Sequence, residues 1–156
     1  MSEGELDLRR AEPGDAPAVA RLLHDFNAEF DEPTPGVEVL SERVRELIAR
    51  GTIVVLLAGE GPAGLAQFRF LRSVWSSGLD VYLEELYVIP ERRGKGIGRA
   101  LLEATMATAR EGGATRIDLN TGETDTAARA LYESLGFTNR EGGEDGPSML
   151  YYERDL

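Results

Sequence analysis

The segment from Leu86 to Leu102 constrains this chain more than any other: LYVIPERRGKGIGRALL. An apolar, β-branched run ends at Pro90, glycines alternate at Gly94, Gly96 and Gly98, and Ile97, Leu101, Ala104 and Thr108 then recur at helical spacing. Strand, loop and helix start follow in immediate succession. A helix start leaves backbone N–H groups unpaired and carries about half a positive charge, and glycines let a ligand approach that backbone closely. Arg92, Arg93, Lys95 and Arg99 add four cations at the same place, and Lys95 is the only lysine in the chain. The segment reads as a cradle for a pyrophosphate.

The cations stand out because the rest of the chain is acidic: 28 Asp and Glu against 17 Lys and Arg give a net charge of -11. A surface this negative repels duplex nucleic acid and anionic lipid over most of its area, so neither is an expected partner. No stretch approaches the roughly 18 apolar residues of a membrane span, and the acidic Ser2 to Asp7 stretch does not read as a signal peptide. The absence of cysteine excludes disulfides, thiolate metal sites and a cysteine nucleophile, and fits a cytoplasmic protein. His24 is the single histidine, which gives no basis for a Ser-His-Asp triad or a multi-histidine zinc site, so no metal is expected.

Periodicity fills in the remaining elements. Leu6 and Leu8 suggest a first strand; Asp15 and Pro17 open a helix carrying Val19, Leu22, Leu23 and Phe26. Asn27 to Gly36 reads as a loop, and Leu40, Val44, Leu47 and Ile48 as a second helix ending at Gly51. Strands are expected over Thr52–Ala58, Ala63–Leu71, Asp80–Val88 and Arg116–Thr121. A fourth helix, capped by Asp125, presents Ala128, Leu131, Tyr132 and Leu135; further strands start at Phe137 and cover Ser148–Glu153. With 42% apolar residues over 156 positions, this predicts one α/β domain of the α+β type, residues 1–156. Its central sheet is mixed and mostly antiparallel, with about six to seven strands and about four helices.

Two familiar phosphate loops fail on residues. A P-loop needs Gly-Lys-Ser/Thr, but Gly96 follows Gly94-Lys95; a dinucleotide fingerprint starting at Gly94 meets Arg99 where its third glycine belongs. Arg93-Gly94-Lys95-Gly96-Ile97-Gly98 instead matches Arg/Gln-x-x-Gly-x-Gly/Ala. In that motif, in the upstream block Glu84 to Glu91 and in the downstream block Ala128 to Phe137, the chain resembles the GNAT superfamily of N-acetyltransferases.

The resemblance implies acetyl-CoA as co-substrate, held by Arg93, Gly94, Lys95, Gly96, Ile97, Gly98 and Arg99, with Leu86, Tyr87 and Val88 beside its pantetheine arm. The Val88 N–H would donate to the thioester oxygen, where losing such a donor typically costs about 3–4 kcal/mol. An amine acceptor must shed a proton before attack; Glu84 is the first candidate base, by likeness to polyamine acetyltransferases, and Glu85 the second. On an unbroken strand these two neighbours point to opposite faces. Tyr132 would give a proton to the leaving thiolate, although as a residue of a helix face it also reads as a core aromatic. Asp125 stands where the family commonly has a pantetheine-binding asparagine, but it is equally a helix cap; Asn120 and Ala128 are further cofactor candidates.

Acceptor recognition is expected from Phe26, Asn27, Phe30 and Trp75 together with Glu84, in surroundings whose acidic and aromatic residues suit a cationic amine. Without a cysteine or a nearby histidine, direct attack in a ternary complex on a small-molecule primary amine is expected. Alternatives are a non-catalytic acetyl-CoA-binding or sensing module, or transfer from another acyl-CoA or to a protein amine. Relatives are often homodimers, so a homodimer is an expectation too.

Overall fold

A computed structural model describes residues 6–156. The chain forms two compact units, one ending at Leu119 and a second covering Asn120–Leu156. The first contains β1 (Leu8–Arg10), α1 (Ala16–Glu29), α2 (Val37–Ala49), β2 (Val54–Ala58), β3 (Gly64–Arg72), β4 (Leu79–Val88), α3 (Ile97–Glu111) and β5 (Ala114–Leu119). The second contains α4 (Thr126–Ser134). Up to residue 5, the strand expected over the first ten residues and the acidic Ser2 to Asp7 stretch lie outside the described residues.

The strands form one sheet in the order β1-β2-β3-β4-β5, antiparallel except for the parallel β4–β5 pair. Strand β2 is buried along its whole length because both faces are covered. On one face Val55, Leu57 and Leu65 pack with Val19 and Leu22 of α1 and Val44 of α2. On the other lies α3, whose buried Ile97, Leu101, Leu102, Thr105 and Ala109 follow helical spacing. Burying a leucine fully contributes about 1.5–3 kcal/mol, and the buried Thr105 hydroxyl is satisfied by donating to Leu101 O at 2.8 Å.

Two irregularities in β4 shape everything that follows. Against β3, Leu83 pairs with Phe68 and Glu85 with Gln67, so Glu84 is an extra residue in a bulge. Against β5, pairing stops at Leu83 with Leu119, while β4 continues to Val88 beside β3. Beyond Leu83 the sheet therefore opens between β4 and β5.

Among the described residues, the expected count of six to seven strands is corrected to five. In place of strands from Phe137 and over Ser148–Glu153, the second unit forms a single bridge, Arg140 with Ser148. Gly142 and Gly143 take positive φ in the turn between them (73° and 132°), and Pro147 has no N–H to extend a ladder. Helix α1 also runs on to Glu29, so the loop expected from Asn27 begins at Phe30.

Candidate active site

The glycine segment folds as a cradle. Gly94 and Gly96 take φ of 77° and 82°, a left-handed region where side chains are strained, and Gly96 caps the start of α3. A Cβ at either glycine would meet nothing, so the space beside them is open. No backbone N–H from Gly94 to Gly98 donates to another described residue. Lys95 and Arg99 are exposed beside these groups, with Arg99 pairing loosely with Glu103 at 3.7 Å. Unpaired donors, backbone with no Cβ in the way and cations together fit a diphosphate.

The open side of β4 leads from this cradle. Ile89 N–H donates to Ala63 O at 2.8 Å, so strand alternation turns the Val88 N–H and C=O away from β3. Arg93 Nε donates to that Val88 carbonyl at 2.9 Å. The Arg93 side chain reaches back toward α1, with its terminal nitrogen 2.7 Å from Glu29 and its guanidinium 5.6 Å from the Tyr87 ring. Phe26 stacks on Tyr87 at 4.7 Å and meets Phe30 edge-on at 5.5 Å. Burial and the Glu29 charge push the Tyr87 phenol up, and its O–H donates to Glu29 at 3.2 Å.

The bulge corrects the expectation for Glu84 and Glu85. Directly opposed residues share a face; Glu85 therefore lies on the Gln67 face, and Leu83 on the Phe68 face. Arg69 Nε and, at 3.4 Å, Gln67 Nε2 both donate to Glu84 Oε1. Both carboxylates thus lie on the face covered by α1 and α2. An alternation that would have parted them is cancelled by one inserted residue.

Glu85 and Gln67 line a cavity of about 220 Å³ beneath α1 and α2. Burial, reinforced by the neighbouring Glu84 charge, pushes the Glu85 carboxyl up to about 7. Asn27 lines the same cavity while donating through Nδ2 to Pro33 O at 2.9 Å. Leu23, Leu40 and Val44 supply apolar walls. Trp75 is not brought there: it is 94% exposed at the tip of the β3–β4 hairpin, and Glu85 lies six residues of strand, ~20 Å, from the start of β4.

In the second unit, Asp125 accepts from Ala128 N–H at 3.1 Å, the helix-capping arrangement. Tyr132 packs at 5.9 Å against Phe137, and burial plus the Asp125 charge push its phenol up to about 12. It is protonated throughout the neutral range. Asn120 follows the end of β5 at the start of this unit.

Gln67, Arg69 and Arg43 join these groups without any motif to announce them. A cross-strand carboxylate–guanidinium pair is readable only once the β3–β4 register is known, and the bulge hides that register.

A sheet that opens beside a glycine cradle at a helix start, with carboxylates on the adjoining face, defines an acyl-group transferase frame. The Acetyltransferase (GNAT) family model matches residues 19–137, and the chain belongs to this family of N-acetyltransferases. It is 32% identical over 139 residues to an aminoglycoside N(6')-acetyltransferase type 1 of Stenotrophomonas maltophilia, covering 86% of this chain and 87% of that one. A thialysine N-epsilon-acetyltransferase of Caenorhabditis elegans is 29% identical over 129 residues, covering 81% and 79%. Among solved structures, a candidate acetyltransferase from Arthrobacter sp. FB24 superposes with a TM-score of 0.90 at 47% identity, covering 100% and 99%. The family uses acetyl-CoA as co-substrate. Among the described residues no cluster of His, Cys, Asp or Glu could hold a metal ion, and no helix is long and apolar enough to cross a membrane.

Proposed function

We propose that the protein acetylates a primary amine of a small molecule from acetyl-CoA by direct attack, with Glu85 taking the amine proton. The observation that carries this reading is Glu85 itself: a carboxyl held at about 7, in a cavity next to the opened edge of β4. A base of that affinity accepts a proton near neutrality and returns it to solvent. Glu84, the first candidate from sequence, is engaged by Arg69 and acts on Glu85 through its charge.

Acetyl-CoA supplies the activated acyl group. Its diphosphate would lie on the N–H groups of Gly94 to Gly98 with Lys95 and Arg99 beside it, and Arg93 contributes through its hold on the Val88 carbonyl. The Val88 N–H, turned to the open side of the strand, would donate to the thioester oxygen as negative charge grows there. Glu85 accepts one proton of the ammonium; the nitrogen–carbon bond forms as the carbon–sulfur bond breaks. On the family resemblance, Tyr132 gives its phenolic proton to the sulfur and is reprotonated by the second amine proton. Phe26 and Phe30 hold Tyr87 and the end of α1 in place, and Asn27 contributes a polar contact for the acceptor.

The resemblance extends to a homodimer, for which the exposed Leu150, Tyr151, Tyr152 and Leu156 offer apolar surface; molar mass in solution checks it. The function itself is tested by thermal shift with acetyl-CoA, which must raise the melting temperature by mass action, followed by thiol release with a panel of primary amines. Binding with no release for any amine would leave a sensing module instead of an enzyme.

A further inference from the structure

The cavity under α1 and α2 carries opposite charges on different walls. The sheet supplies Glu85, and α2 supplies Arg43, whose exposed guanidinium makes no ion pair among the described residues. The apolar side chains Leu40, Val44 and Ile53 line the same cavity, with Val44 at 4% and Ile53 at 2% exposure. A cavity of about 220 Å³ is below the roughly 300–1,000 Å³ of pockets that hold drug-sized ligands.

Resting on the acetyltransferase reading above, we infer that the acceptor is a small zwitterion of amino-acid type. Its ammonium is drawn to Glu85, its carboxylate meets Arg43, and a short carbon chain lies along the apolar lining. A guanidinium binds a carboxylate through paired N–H donors and repels a second ammonium. A diamine or an oligosaccharide bearing several amines would set a cation against Arg43. Nothing else in the cavity asks for a second positive charge: Glu84, its other carboxylate neighbour, is already paired with Arg69.

The test compares 6-aminohexanoate with cadaverine, in which an ammonium replaces the carboxylate on the same methylene chain, and with kanamycin, measuring kcat/KM for thiol release at saturating acetyl-CoA. A charge-assisted contact to Arg43 predicts at least ~10-fold preference for 6-aminohexanoate over cadaverine. Arg43→Ala removes that preference, mainly through the KM for 6-aminohexanoate, and Arg43→Glu reverses it in favour of cadaverine. Because Arg43 is exposed, both variants keep the fold, checked by an unchanged thermal shift with acetyl-CoA. Turnover of cadaverine or kanamycin at or above that of 6-aminohexanoate, indifferent to Arg43, overturns the zwitterion while leaving the acetyltransferase intact. Acetylation of no amine at all overturns both.

Discussion

The two halves of the proposed site are made of different material. The cofactor half is backbone: unpaired N–H groups from Gly94 to Gly98, two glycines at positive φ, and the Val88 peptide turned outward. The acceptor half is side chain: Glu85, Gln67 and Arg43 brought from three elements, with Glu84 and Arg69 behind them. Backbone cradles bind what every relative shares, because almost any side chain outside the glycine positions leaves the N–H groups in place. Side-chain cavities change with single substitutions, so they carry the difference between one acceptor and another. The aminoglycoside and thialysine relatives fit this division, sharing a family and differing in their named substrates.

That division can be broken by substitution. The largest effect is expected from Glu85→Gln, which removes the proton acceptor while keeping shape; kcat/KM for the amine should fall by about a hundredfold or more, with acetyl-CoA affinity unchanged by calorimetry. Loss of acetyl-CoA binding instead would mean the two halves are not separable. Next, Tyr132→Phe should lower turnover by about tenfold or more and leave acetyl-CoA affinity nearly unchanged; wild-type turnover in this variant removes the phenol from the chemistry. On the cofactor side, Gly96→Val forces a branched side chain into left-handed backbone, a strain of about 1–3 kcal/mol. It should weaken acetyl-CoA binding roughly tenfold, with the amine KM holding. A rise in amine KM alone would reverse the assignment of halves.

The smallest effect sharpens the acceptor side alone. Removing the Glu84 charge by Glu84→Gln takes away one of the two causes that hold Glu85 up, so the acidic limb of the activity profile should move below pH 7. Stability follows the same carboxyl. Burial strengthens proton binding by Glu85 in the folded state, so its favourable contribution is full below about pH 4.5, the ordinary glutamate value. It is lost as pH rises through about 7. Glu85→Gln should therefore raise the melting temperature at pH 8 relative to wild type and do little at pH 4; an equal shift at both pH values would disconnect Glu85 from this burial.

The backbone half was legible in the sequence, and the side-chain half much less so. Glycine spacing and the strand-to-helix change of period are local signals, and they located the cradle, the cap at Asp125 and all four helices to within a few residues. The position of Glu85 depends on one bulged residue at Glu84, and nothing local marks a bulge in an unbroken run of strand-forming residues. Arg93 reads as a ligand for phosphate, yet its side chain is taken by Glu29, a partner 64 residues away. Trp75 reads as part of the acceptor site by family resemblance, from the loop between β3 and β4; chain topology puts it at the far tip of that hairpin. The strands expected from Phe137 and over Ser148–Glu153 are cut to one bridge by the glycine turn and Pro147 between them.

The central claim is that Glu85, poised near neutrality by burial, takes the proton from the acceptor amine. The pH dependence of kcat/KM for the best amine, in wild type and Glu85→Gln at saturating acetyl-CoA, tests it directly. An ascending limb with an apparent pKa of about 7 in the wild type, absent from the variant, is the predicted result. A limb of the same position and height in both proteins would contradict the account.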